Sequence, residues 1–122
     1  ALYRTNVEGC WLGIKHGFAA IARSGRPGAI VNVSSLMGQV GVANGIAYCA
    51  TKGAVTGLTK AAAIDGGAMT PRIRVNSVHP GVIWTPMLTS VFGEDESGGD
   101  IFAAASYMTG AELTVDGGRG AD

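Results

Sequence analysis

Cysteine is scarce. Cys10 and Cys49, the only two in 122 residues, have neither the number of a disulfide scaffold nor the close spacing of a metal site. A reducing, cytoplasmic setting is therefore expected, with no metal. Runs of like charge are missing as well. Nine Lys and Arg balance nine Asp and Glu without a basic cluster, which speaks against nucleic acid as a partner because phosphates require an electropositive face. No apolar run approaches the ~20 residues of a membrane-crossing helix, and no charged-then-apolar leader opens the chain, so a soluble protein without a membrane partner is expected. No internal repeat is present. An initiating Met is also absent: the chain opens at Ala1, almost directly into an amphipathic pattern, an indication of lost upstream residues. The length is that of one domain with one core.

What is present alternates. Val7, Cys10, Trp11, Ile14, Phe18 and Ile21 recur at helical spacing until the turn cluster Ser24-Gly25-Arg26-Pro27-Gly28. The β-branched run Ala29–Val33 then predicts a buried strand ending in Ser34-Ser35. A loop with Gly38, Gly41 and Gly45 follows. Val55, Leu58, Thr59 and Ala62 predict a helix from about Ala47 to Ala63, stopped by Asp65-Gly66-Gly67. A second strand is predicted at Ile73–Val78, broken by His79-Pro80-Gly81, and a third at Glu112–Val115. Between Met87 and Ser106 the stretch "FGEDESGGD" lacks periodicity and predicts a surface loop. This order is that of a parallel α/β sheet with right-handed crossovers, whose ligands gather at the carboxyl ends of the strands. Those ends are Ser34-Ser35 and His79-Pro80-Gly81.

The stretch "YCATK" places Tyr48 and Lys52 four residues apart in the first turns of the second helix. At that spacing they are neighbours on one face. Alone, the pair reads as a lysine stem covering an aromatic ring on a solvated surface. With Ser35 at a nearby strand end, a hydroxyl, a phenol and an ammonium have the makings of alcohol–ketone redox chemistry, provided a hydride carrier is supplied. A free phenol, with a reference pKa of about 10, is a poor base at neutral pH, and a neighbouring ammonium favours its ionised form.

These residues stand within "TNVEG", "IVNVSS", "YCATKGAVTGLTKAAA", "RIRVNSVHPGVIWTPM" and "SYMTGAELTVDGG", which together resemble the short-chain dehydrogenases/reductases in content and order. The resemblance covers most of the chain and is of the hydroxysteroid and alicyclic alcohol type. It implies the C-terminal half of a Rossmann-like, doubly wound parallel sheet, equivalent to strands 5–7 with their flanking helices. It implies an NAD(P)-dependent oxidoreductase interconverting a secondary alcohol and a ketone, with NAD or NADP as cofactor. Tyr48 would be the general acid/base, Ser35 would bind the substrate oxygen, and Lys52 would tune Tyr48 and hold the nicotinamide ribose. The family's Ser-to-Tyr interval selects Ser35 over Ser34. Asn6 would hold a water in a proton relay. Pro80 and Gly81 would shape the loop beside the nicotinamide, with Ile83 and Thr85 reaching its carboxamide. Trp84, Met87, Leu88, Val91 and Phe92 are candidates for core, but they follow that loop in a segment too irregular for a packed element, which favours a wall of the substrate pocket. The helices after Asn6 and after Ala47 would pair copies into a homo-oligomer.

Plainer readings stand beside these. Ser34 and Ser35 are suited to capping the strand exit, and Asn6 to an N-cap of the first helix. Asn32 and Asn76 are expected to satisfy backbone groups, and His79 to pack within its loop. The chain also departs from the family pattern. No glycine-rich turn follows a strand and opens a helix to receive a pyrophosphate, and the segment between Met87 and Ser106 is short. Residues 1–122 are thus expected to form a partial NAD(P)-binding domain that carries the catalytic half and lacks the phosphate-binding half. The competing expectation is a catalytically silent remnant that associates with a full-length relative through its helices.

Overall fold

The computed structural model describes residues 1–81. A π-helical turn at Arg4–Glu8 runs into helix α1, Gly9–Ser24, and strand β1 follows at Gly28–Val33. Helix α2, Ile46–Ala68, leads to strand β2, Ile73–Val78. A 3-10 turn at Leu36–Gly38 lies in the connection from β1 to α2. The predicted strand at 112–115 and loop at 87–106 fall outside the described residues.

The two strands pair in parallel, in register from Gly28 opposite Ile73 to Val33 opposite Val78. Parallel neighbours need a crossover, and α2 supplies it. Helix α1 stops where Gly25 turns left-handed at φ 67°, its N–H capping the Ala22 carbonyl, a conformation that costs glycine no Cβ clash.

Alternation along the strands decides which face is covered. Ile30 and Asn32 of β1, with Ile73 and Val75 of β2, face the helices. Ile14 from α1 and Ala62 from α2 close the core against Ile73 and Val75, and Phe18, Ile21, Leu58 and Met69 pack around it. On α2 the buried positions Thr51, Val55, Thr59, Ala62 and Gly66 form one stripe at spacings of three to four. The other sheet face is open: Val31 and Val33 each remain 60% exposed.

Helix boundaries differ from the sequence expectation at two points. The glycines at 66 and 67 do not end α2, which continues to Ala68. Gly66 is buried against β2, where a Cβ would stand 2.5 Å from the Ile73 carbonyl oxygen and 3.3 Å from Phe18 Cζ. It serves close approach of helix to strand rather than termination. Helical structure also begins before Asn6, which lies inside the π-helical turn, so Asn6 is no N-cap; that position belongs to Tyr3, without a side-chain cap.

Gly66→Ala should therefore lower stability by about 1–3 kcal/mol through overpacking. Gly57→Ala, where a Cβ meets nothing within 4 Å, should raise it by about 1 kcal/mol through helix propensity. Urea unfolding of the two variants reads both signs, and an unchanged midpoint for Gly66→Ala would contradict the close helix–strand contact.

Candidate active site at the carboxyl ends of the strands

The two strand exits are laced together beyond the sheet. Ser34 N–H donates to the Val78 carbonyl at 2.9 Å, and Leu36 N–H to the Pro80 carbonyl at 3.0 Å. Both exits thus leave the sheet side by side, which brings Ser34-Ser35 next to His79-Pro80-Gly81.

Three polar links set α2 on the end of β1. Asn32 Nδ2 donates to Thr59 Oγ1 at 2.9 Å, Ser34 Oγ donates to the Lys52 carbonyl at 2.8 Å, and Lys52 Nζ donates to the Val33 carbonyl at 3.1 Å. Asn32 was expected to satisfy backbone groups. Instead it bonds a side chain across elements, because the Thr59 proton goes to the Val55 carbonyl and leaves the hydroxyl oxygen to accept. Gly38 permits the fit, since a Cβ there would stand 2.8 Å from the Lys52 carbonyl and 2.9 Å from Ser34 Oγ.

The predicted pairing of Tyr48 and Lys52 is present: Nζ stands 5.8 Å from the centroid of the phenol ring. One of the three ammonium donors is used on Val33, which leaves two. The capping reading of the serines divides between them. Ser35, buried and extended, caps the 3-10 turn by accepting Met37 N–H at 3.2 Å, while Ser34 ties down α2. Having accepted, the Ser35 hydroxyl keeps its own proton to give, and no acceptor for it is found among the described residues.

Asn6 reaches the same place from the other helix. Its Nδ2 donates to Thr51 Oγ1 at 3.1 Å, and Thr51 Oγ1 donates to the Tyr48 carbonyl at 2.9 Å. Since the Thr51 proton is committed to that carbonyl, its oxygen takes an N–H from Asn6, and Asn6 Oδ1 is left as an acceptor. Thr51 joins Asn6 to the turn bearing Tyr48, and sequence reasoning passed it over. Its signal was its place on the buried stripe of α2, where a hydroxyl must find partners. His79 was expected only to pack, yet its ring bonds Ser77 at 2.9 Å and the Ser35 carbonyl at 3.1 Å.

Pro80 and Gly81 lie where β2 leaves the sheet, as expected. Ile83, Trp84, Thr85, Met87 and Leu88 fall outside the described residues. Among the described residues no group of His, Cys, Asp and Glu is arranged for a metal, and no helix is long and apolar enough to cross a membrane. Both cysteines are unpaired. Burial pushes the Cys10 thiol pKa up, and the positive charge of Lys52 pulls it partly back, which puts the ammonium within electrostatic reach of α1.

The family model described as short chain dehydrogenase matches residues 1–96. The chain belongs to this family. Among its short-chain dehydrogenase relatives is trans-4-hydroxycyclohexanecarboxylate dehydrogenase from Sinomonas cyclohexanicum, 42% identical over 130 residues, covering 93% of this chain and 49% of the relative. The 3-alpha-(or 20-beta)-hydroxysteroid dehydrogenase of Mycobacterium tuberculosis is 40% identical over 130 residues, covering 93% of the chain and 48% of the relative. Cyclopentanol dehydrogenase of Comamonas testosteroni is 37% identical over 140 residues, covering 96% and 55%. The expected likeness to hydroxysteroid and alicyclic alcohol members of the family is borne out. A solved structure of 4-hydroxyisoleucine dehydrogenase complexed with NADH superposes with a TM-score of 0.64 at 31% identity, covering 88% of this chain and 49% of that one. The α/β fold is thus the Rossmann-like one expected. The chain spans about half the length of these relatives. An alignment of 130 or 140 positions is longer than the 122-residue chain itself, so the relatives also carry residues with no counterpart here.

In a Cys49→Ala background, removing the charge with Lys52→Met should raise the Cys10 thiol pKa further. Less thiolate at a given alkaline pH follows, so alkylation by iodoacetamide should slow severalfold at about pH 8.5. An unchanged rate would contradict the placement of the ammonium near α1.

Proposed function

We propose that this chain is the alcohol-handling half of an NAD(P)-dependent, cytoplasmic oxidoreductase that interconverts a secondary alcohol and a ketone. The observation that carries the reading is the Lys52 ammonium, held by the Val33 carbonyl at the strand end that Ser35 leaves and standing 5.8 Å from the centroid of the Tyr48 ring. Tyr48 exchanges a proton with the substrate oxygen, donating it in ketone reduction and taking it back in alcohol oxidation. Ser35 gives its free O–H to that oxygen, a role supported by its hydroxyl already accepting from Met37. Lys52 stabilises negative charge on the phenolic oxygen as the proton leaves. Asn6, with its amide nitrogen held by Thr51, keeps Oδ1 for a water that feeds the proton relay.

The nicotinamide, when bound, supplies or accepts the hydride. The two remaining N–H donors of Lys52 would hold its ribose hydroxyls, and Tyr48, Pro80, Gly81, Ile83 and Thr85 would hold that end of the cofactor. Trp84, Met87 and Leu88 would wall the substrate site. The pyrophosphate finds no fit among the described residues. Helix α2 starts after a 3-10 turn and a loop rather than directly after a strand, and the turn before α1 is itself helical. The phosphate-binding half of the domain is assigned to residues beyond these 122, and the chain alone is a partial domain.

Outward on α1, Trp11 and Leu12 are 49% and 36% exposed, which supports pairing of copies into a homo-oligomer. The open sheet face at Val31 and Val33 favours a second reading, a catalytically silent remnant that only associates with a full-length relative. Mutation separates the two. In a chain completed with a phosphate-binding half from a relative, Tyr48→Phe should cut turnover by at least about a hundredfold, the scale of general acid–base catalysis, while cofactor affinity stays near normal. Lys52→Met should weaken both. Steady-state kinetics and cofactor titration read these effects, and near-normal turnover of Tyr48→Phe would remove Tyr48 from the chemistry.

A further inference from the structure

We infer that His79 is a positioning residue for Ser35. The inference rests on the reading of Ser35 as the hydroxyl that meets the substrate oxygen, and concerns what holds that hydroxyl in place. His79 Nδ1 lies 3.1 Å from the Ser35 carbonyl oxygen, and Nε2 lies 2.9 Å from Ser77 Oγ. A carbonyl oxygen only accepts, so Nδ1 carries a proton whether the ring is neutral or charged, and in the neutral ring Nε2 accepts from the Ser77 hydroxyl. The Ser35 carbonyl also accepts Gly38 N–H at 2.9 Å, so both of its lone pairs are engaged. With the carbonyl fixed from two sides and the hydroxyl taken up by Met37 N–H, rotation of Ser35 would break bonds at both ends of the residue.

The ring does this from the neighbouring strand. The backbone bonds from Ser34 to Val78 and from Leu36 to Pro80 bracket Ser35 without touching it, and His79 fills the gap between them. It therefore transmits the position of the β2 exit to the one residue of the β1 exit whose hydroxyl has a proton to spare. Bulk alone is insufficient for this job; what counts is an N–H donor at the place of Nδ1.

That distinction gives the test. Asparagine places an amide N–H near the position of Nδ1, whereas glutamine reaches towards that of Nε2 and is closer to histidine in volume. Hydrogen exchange of the Met37 amide in the 122-residue chain reports on the Ser35 hydroxyl directly, independently of turnover or cofactor. His79→Asn should keep its protection within a few-fold of the parent, while His79→Gln and His79→Ala should exchange roughly tenfold faster, the scale of one lost hydrogen bond. Amides of the β1–β2 ladder serve as the internal reference for global opening. Protection kept in His79→Gln, or lost equally in His79→Asn, would overturn the inference, because either means that Nδ1 is not what matters. Nitrogen chemical shifts of the parent provide a second measurement that needs no variant. A ring protonated at Nδ1 near neutral pH is expected, and a neutral ring protonated at Nε2 would overturn the inference.

Discussion

Everything that makes this surface chemically interesting hangs on how α2 is fastened to the end of β1. The hydrogen bonds from Asn32 to Thr59, from Ser34 to the Lys52 carbonyl and from Lys52 to the Val33 carbonyl span two turns of the helix and fix both its rotation and its height above the strand. Each contributes only about 0.5–1.5 kcal/mol net, but a buried partner left alone costs about 1–3 kcal/mol. The arrangement is therefore more selective than it is strong. A helix slipped by one residue would strand the buried Asn32 amide and the Ser34 hydroxyl together. Among the described residues no buried side-chain nitrogen or oxygen lacks a partner, which is what such selection requires.

The apolar core sets the distance and the polar links set the register. Gly66 and Gly38 remove the two Cβ atoms that would hold α2 away, one at the β2 end and one at the serine turn. Once the helix is seated, its first turn has only one place to be. Lys52 reaches the exit of β1 with the Tyr48 ring beside its ammonium, Thr51 points inward to meet Asn6 of the opposite helix, and the ammonium lowers the raised pKa of the Cys10 thiol. Lys52 belongs at once to the fastening and to the candidate chemistry, so the ion that would stabilise the phenolate is positioned by the strand that delivers the serine.

Much of this was legible in the sequence, and the remainder was hidden for identifiable reasons. The strand at 73–78 was read at its true ends, because β-branched residues bounded by proline and glycine leave little choice. Tyr48 and Lys52 were readable as neighbours because helical spacing dictates contact. The end of α2 was misread, because a glycine that allows close packing looks the same in one dimension as one that stops a helix; only the Ile73 carbonyl beside Gly66 tells them apart. The bond between Asn32 and Thr59 joins residues 27 apart and depends on which face of α2 meets β1. Thr51 was legible only as one more position on the buried stripe of α2, since its Asn6 partner lies 45 residues away, and His79 acts on a backbone carbonyl, which carries no sequence signal.

The described residues thus bring an ammonium, a phenol and a serine to the exits of two paired strands, and none of them forms a glycine-rich turn that leaves a strand and opens a helix to grip the phosphates of a dinucleotide. The chain spans about half the length of these relatives, and its described residues hold the Lys52 ammonium at the Val33 carbonyl and the Ser35 hydroxyl at the Met37 N–H. Calorimetric titration of the 122-residue chain with NADH and NADPH, beside the same chain completed by a relative's phosphate-binding half, tests this directly. Losing several charge-assisted hydrogen bonds at about 1.5–3 kcal/mol each should cost orders of magnitude in affinity. No saturable heat is expected from the chain alone at concentrations that saturate the completed protein. Comparable affinity of the two for either cofactor would contradict it.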